Sequence, residues 1–285
     1  GLIKKCVHLV SGHEQRLCFP LDSVRRANGK YPPCAIEVVY PGMHSDIGGG
    51  YPPGEQGKGN AEHDGHLLSQ IVLHDMYSAA FNCGAPLKVP KQALPEKFKS
   101  QSWRVIPLDL DSQFFVSEVL SARFNAWREL TLGQTTPKTF DPEAASHYEP
   151  PAAGGSLETV IAEQMAWITA WRIDRYARGS MLKTPFYQRA TNTEALPAAR
   201  KAAEVIRDKE QEKVLSARQN QIANQSPDRM DELVLQPGVK DRMKRDGEAR
   251  VAVLFPDAGE ASNAEQPAGL VRALFDDQVH DSRAW

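Results

Sequence analysis

Hydrophobic positions divide the chain into a mixed early part and a later helical one. Leu2, Ile3, Cys6, Val7 and Val10 recur at helical spacing and predict a short opening helix. A polar stretch with Pro20 and Asn28-Gly29 follows. Ile36–Tyr40 (IEVVY) reads as a short strand bounded by Pro33 and Pro41-Gly42. From Gly42 to Gly65 the chain is a glycine-rich loop. Leu68, Ile71, Val72, Met76 and Ala79 then fall on one face of an amphipathic helix, with Gly84 and Pro86 as its stop signals.

Beyond residue 90 the helical period dominates. Trp103–Leu108 reads as one more strand. Val116, Val119, Leu120, Phe124, Trp127 and Leu130 make the stripe of a helix from Ser112 to Leu132, closed by Gly133. Leu157, Val160, Ile161, Met165, Ile168, Trp171 and Tyr176 make that of a helix from Ser156 to Arg178. Ser156 is its N-cap, Arg175 and Arg178 complement the dipole, and Gly179 is its stop. A charged helix with a thin apolar stripe is expected from Glu194 to about Asn224. Residues 225–250 read as a polar linker, and Val251–Phe255 as a last strand. Three short strands do not build a sheet enzyme of this size; they read as the end of one. The expected class is therefore α/β, with the tail of a sheet in residues 1–90 and a mainly helical region in 91–285.

Composition narrows the function classes. The chain has 285 residues, 41% hydrophobic and 25% charged, with a formal net charge of -2. It can bury a sizeable core. It gives no electrostatic reason to expect a nucleic-acid partner. The longest apolar run is Val251–Phe255, far short of the about 20 residues that a membrane span needs, and no signal peptide is read at the start. The first residue is Gly1 rather than methionine, which points to a piece of a longer protein. Cys6, Cys18, Cys34 and Cys83 form no C-x-x-C pair and read as buried small hydrophobes, with disulfide pairing left open.

The most unusual local sequence runs from Val38 to Tyr51. A strand delivers His44 onto a loop at its C-terminal end, the edge where open α/β sheets form active sites. Gly48, Gly49 and Gly50 allow positive φ and close backbone approach. Pro52 and Pro53 follow and prevent the helix start that a dinucleotide-binding loop requires. No G-x-S-x-G occurs, so the chain has no nucleophile elbow. Glu62, His63, Asp64, His66, His74 and Asp75 are of metal-ligand types, but in a loop their spacing fixes no geometry. The His280-Asp281-Ser282 run consists of adjacent residues and cannot itself form a triad. The tail that holds it reads as docking onto the body, with Trp285 as an anchor.

The segment Gly42-Met43-His44-Ser45-Asp46-Ile47-Gly48-Gly49-Gly50-Tyr51 resembles the G-x-H-S-D-x-G-G-G-Y signature of α/β-hydrolases that include type VI secretion phospholipase effectors. His8–Phe19 is similar to the family's segment before its last catalytic strand. Leu68–Pro86 is similar to the helix that follows, and Phe275–Trp285 to a C-terminal segment of the effector branch. The resemblance implies a Ser-Asp-His triad in that chain order, with His44 as base and the serine and aspartate upstream of this chain. Ser45, Asp46, Gly48, Gly49 and Gly50 are then loop-supporting, with Asp46 accepting from backbone N–H groups. The implied activity is hydrolysis of glycerophospholipid esters without cofactor or metal, and this chain alone is expected to be inactive. The implied setting is antibacterial: secretion by a type VI system, action in the target cell's periplasm, a spike protein for delivery and a cognate immunity protein. Membrane phospholipids and the missing N-terminal hydrolase portion are the other partners. Two readings compete with it. One is a non-catalytic, helical and amphipathic module docking on membrane or partner; in the lipase reading itself, Phe114, Phe115, Trp127, Trp167 and Trp171 are candidate interfacial aromatics that shield or extend the lipid site, with core packing favoured for Trp127 and Trp171. The other is a metal-dependent phosphohydrolase using His63, His66 and His74.

Overall fold

The structure is a computed structural model that describes residues 2–16, 19–59, 64–107, 110, 112–138, 140, 157–190, 198–199, 201–202, 205–206, 209 and 239–281. Two strands, β1 (Cys6–Ser11) and β2 (Ala35–Tyr40), run parallel, in register from Cys6 opposite Ala35 to Ser11 opposite Tyr40. The predicted opening helix is thus a strand. Cys6, Val7 and Val10 suit either period, and pairing with β2 decides for the extended form. β2 is the strand read from IEVVY, buried along most of its length.

The glycine-rich loop is not wholly irregular. It opens with a single helical turn, α1 (His44–Gly48), closed by Gly49 at φ 77°. Helix α2 (Leu68–Asn82) follows as expected, with Leu68, Ile71, Val72 and Ala79 buried. Met76, placed on the same face by spacing, is half exposed; Asp75 is the buried neighbour instead, where Tyr40 Oη donates to its Oδ2 at 2.6 Å and Lys138 pairs with it.

The strand expected at Trp103–Leu108 is a 3-10 turn, Ser102–Arg104, with a single bridge from Val105 to Val89. Helix α3 (Glu118–Leu132) starts later than the pattern suggested. Ser117 Oγ accepts from the Leu120 N–H at 3.2 Å and fixes the start, worth about 1 kcal/mol. Val119 faces solvent, and Leu130 is only partly buried. Helix α4 (Leu157–Arg172) continues into a π-helical turn, Ile173–Ala177, before Gly179 at φ 77°. Its expected N-cap, Ser156, lies outside the described residues. Arg175 is no exposed dipole partner: it is buried in an ion cluster. Helix α5 (Pro185–Arg189) is one turn.

The charged helix expected over 194–224 lies mostly outside the described residues; the positions described between 198 and 209 are helical. The linker expected over 225–250 is corrected in its second half, and the Val251–Phe255 strand with it, because Val239–Leu254 is helix α6. Its face is thin, but Gly247 brings it against α4 so closely that a Cβ there would stand 2.6 Å from Thr169 Cγ2. Helix α7 (Pro267–Asp277) packs on α3.

One hydrophobic cluster joins β1, β2, α2, α3, α4, α6 and α7 across residue 90. Trp127 and Trp171 are fully buried in it and Trp167 nearly so, which assigns these three to the core rather than to a lipid face; Phe115 is exposed. Cys6 and Cys34 are half-buried and Cys83 exposed, all as free thiols, so the buried reading of the cysteines does not hold for Cys83; Cys18 lies outside the described residues. No helix among the described residues is long and apolar enough to cross a membrane.

Candidate active site

The parallel register creates the site. Because Ser11 and Tyr40 pair at the strand ends, the segments that leave β1 and β2 emerge side by side. Hydrogen bonds continue the pairing beyond the strands. Gly12 N–H donates to the Tyr40 carbonyl at 2.8 Å, and Ser11 Oγ and His13 N–H donate to the Gly42 carbonyl at 2.6 and 3.1 Å. Glu14 and His44, three and four residues past the strand ends, therefore meet.

His44 Nδ1 lies 2.7 Å from Glu14 Oε2, and its Nε2 lies 3.0 Å from Ser45 Oγ. Arg16 Nη2 is also 3.0 Å from Nδ1, but the same nitrogen donates to Glu14 Oε2 at 3.0 Å. A carboxylate only accepts, so Nδ1 carries the proton toward Glu14, and the Nε2 lone pair accepts from the Ser45 hydroxyl. That is the tautomer a general base requires. Phe19 stacks on the imidazole at 4.0 Å between ring centres, and the Arg16 guanidinium covers Phe19. The ring is held on one face and its Nε2 side is reachable; the side chain is 38% exposed.

Glu14 was missed by the sequence reading. Its side chain is 6% exposed. Burial pushes its pKa up, but hydrogen bonds from Arg16, His44 and the Arg16 backbone, with the charge of Arg16, outweigh that and bring it down to about 2. It is therefore an anion at neutral pH.

Asp46 holds the turn from below. Its Oδ2 accepts from Met43 N–H at 2.8 Å. Gly42, at φ 115°, lies so close that a Cβ there would stand 2.6 Å from Asp46 Cβ, so any other residue would displace the carboxylate. Gly50 N–H donates to the Ser45 carbonyl at 2.9 Å and closes the turn, with Gly48 and Gly49 exposed between them. Among the histidines of the metal reading, His63 lies outside the described residues. His66 is half-buried, and His74 sits edge-on to Phe140 with Nδ1 3.8 Å from Asp75 Oδ1. Among the described residues no three His, Cys, Asp or Glu side chains are grouped to hold a metal ion.

His13 ties this region to the helices. Gly42 N–H donates to its Nδ1 at 2.8 Å, and its Nε2 faces Gln164 Oε1 at 3.2 Å, so the buried ring is neutral. Burial, then the Arg172 charge, lower its pKa to about 3 against the opposing pull of Gln164 and Asp281. The unfolded chain takes up this proton near pH 6.5 and the native one near 3. Stability from His13 is thus complete above 6.5 and is lost as pH falls toward 3. Urea unfolding at pH 7.5 and 5.0 is expected to differ by about 2 kcal/mol, and His13→Asn, which keeps an acceptor for Gly42, to remove most of the difference. Equal stability at the two pH values would contradict this.

Residues 1–79 match the model of the T6SS phospholipase effector Tle1-like catalytic domain. Residues 120–236 and 239–285 match that of the Tle1-like C-terminal domain. A crystal structure of an uncharacterized protein from Pseudomonas aeruginosa is 31% identical with a TM-score of 0.63, over 99% of this chain and 43% of that one. This chain thus spans less than half the length of that relative. No curated protein matches the chain. With one family model covering residues 1–79, the His44 turn included, and another covering most of residues 120–285, the chain belongs to the T6SS phospholipase effector Tle1-like family.

Proposed function

We propose that the chain carries the general base of a serine-type phospholipase that cleaves glycerophospholipid esters, with His44 as that base. The observation that carries the reading is the His44 imidazole itself, anchored at Nδ1 by an ionised carboxylate and open at Nε2 beyond a hydroxyl. Ester hydrolysis by serine needs a group that takes the hydroxyl proton and returns it to the leaving alkoxide, and such a ring does both. With no G-x-S-x-G in this chain, the nucleophile comes from sequence upstream. Ser45 Oγ then stands where the nucleophile's oxygen would arrive and gives way to it.

The resemblance places an aspartate upstream as the triad acid. Glu14 already occupies Nδ1 within this chain, following β1 as His44 follows β2. We take Glu14 as the carboxylate that orients the ring. Residues 1–90 would be the end of the hydrolase domain, and 91–285 a mainly helical domain beside it. A type VI secretion effector of this kind would act on membrane phospholipids in the target cell's periplasm, delivered with a spike protein and countered in the producer by an immunity protein.

The test is product analysis with the complete hydrolase on phosphatidylethanolamine and phosphatidylglycerol vesicles. The expected products are free fatty acid and lysophospholipid, at a rate unchanged by EDTA, with no turnover by the 285-residue chain alone. Release of phosphate or headgroup, lost on chelation, would contradict the ester reading and favour the metal one.

A further inference from the structure

The described part of the tail that follows α7, residues 278–281, lies against the His44 turn; the Trp285 anchor lies outside the described residues. His280 is 1% exposed, and 234 residues separate it from Asp46. Its Nδ1 donates to Asp46 Oδ1 at 2.6 Å, and its backbone N–H lies 3.1 Å from Oδ2. Its Nε2 lies 3.1 Å from the Glu55 carbonyl, farther along the same loop, and Tyr51 stacks on its ring at 4.0 Å between centres. Three stretches of the loop, at Asp46, Tyr51 and Glu55, thus meet on one side chain from the other end of the chain.

The tail is itself fixed. Asp281 receives Arg172 of α4 at 2.6 and 2.7 Å. The loop reciprocates: Lys58 Nζ donates to the carbonyls of Phe275 and Asp276 at 3.0 and 2.8 Å, and Gly59 N–H donates to that of Asp277 at 2.6 Å. Three carbonyls at the end of α7, which have no partner within the helix, are thus satisfied by the loop that begins at His44.

Asp46 has two obligations. Its Oδ2 caps the turn at Met43 N–H, one residue before His44, and both its oxygens face His280. Without the His280 side chain the buried carboxylate would keep only backbone N–H groups as partners among these contacts, those of Met43 and of residue 280, and would lose its shortest hydrogen bond; burying a charge so incompletely matched is costly. The carboxylate would turn toward water, and the turn would lose its cap.

We propose that His280 is a positioning residue of the active site: it holds Asp46, Asp46 holds the turn at Met43, and the turn aims His44. This rests on the reading of His44 as base, but its test separates the two. Hydrogen–deuterium exchange on the complete hydrolase, without substrate, reads the loop independently of activity. His280→Ala is expected to raise exchange across 42–51 by at least about tenfold, while α3 amides stay protected. His280→Phe, which keeps the stacking on Tyr51 but makes no side-chain hydrogen bond, is expected to do the same, and it serves if the alanine variant does not fold. In the complete hydrolase both variants should lower kcat by at least about tenfold with KM within about twofold. His280→Asn, whose amide can still donate to Asp46, should restore kcat to within about threefold of the native value. Unchanged exchange across 42–51, or raised exchange with native kcat, overturns the proposal. Raised exchange in a hydrolase whose turnover does not depend on His44 would instead leave the tail–loop coupling standing and remove the base.

Discussion

Replacing His44 with alanine in the complete hydrolase is expected to lower turnover on phospholipid vesicles by at least about 10³-fold and to leave the fold intact, because loss of a triad base leaves only binding and oxyanion stabilisation. The fold should survive because the imidazole is partly exposed and packs mainly on Phe19, itself at the surface. Glu14→Gln is expected to cost about 10²-fold or more in kcat, since an amide at Nδ1 can donate and so favours the wrong tautomer. Its KM should hardly move. Full turnover in Glu14→Gln would return the orienting role to an upstream aspartate. His66→Ala and His74→Ala should each change turnover by less than about tenfold, because neither adjoins the His44 ring. Circular dichroism on all four variants separates misfolding from lost chemistry.

The largest loss of stability is expected from Asp276→Ala. Arg175 is 2% exposed, and Asp276 receives its Nε at 2.9 Å and its Nη2 at 2.6 Å. Trp171 Nε1 donates to the same carboxylate at 2.8 Å. Glu260 takes the other edge of the guanidinium at 2.7 and 2.9 Å. Burial works against the Arg175 charge, but the hydrogen bonds it donates to Glu260 and Asp276 outweigh it and raise its pKa above the ordinary value. Removing Asp276 leaves the buried cation to the partly exposed Glu260 and to Asp174 at 3.8 Å, and takes away the acceptor of an indole N–H. The cost should be about 3–5 kcal/mol, read as a lower urea midpoint at unchanged slope. Asp276→Asn keeps one acceptor and should cost less. A loss below about 1 kcal/mol in Asp276→Ala would mean that water or Glu260 compensates.

The part of the site nearest the signature was legible in the sequence, and the part that completes it was not. β2 and the glycines around His44 announce themselves locally, through an apolar run cut by Pro-Gly and through residue types that only special backbone needs. Glu14 did not, because β1 was read as a helix. Five residues such as Cys6–Val10 satisfy both periods, and the pairing that settles the matter lies 29 residues away. Read as a strand, β1 would have put a carboxylate after one parallel strand and a histidine after its neighbour. The same ambiguity turned Val251–Phe255 from a helix end into a strand. α6 escaped because its stability comes from docking on α4 through Gly247, Val251 and Leu254, too thin a face to stand out. Contacts such as His280 with Asp46 leave no periodic trace; folding brings together ends that local patterns treat separately.

The central claim is that His44 activates a serine supplied from outside this chain. The rate of serine-directed fluorophosphonate labelling tests it most directly, compared at pH 7.5 between the native complete hydrolase and its His44→Ala variant. The account predicts rapid labelling of one upstream serine in the native protein, slowed by at least about 10²-fold without His44. It predicts no label on Ser45. Equal labelling rates in the two proteins would contradict it.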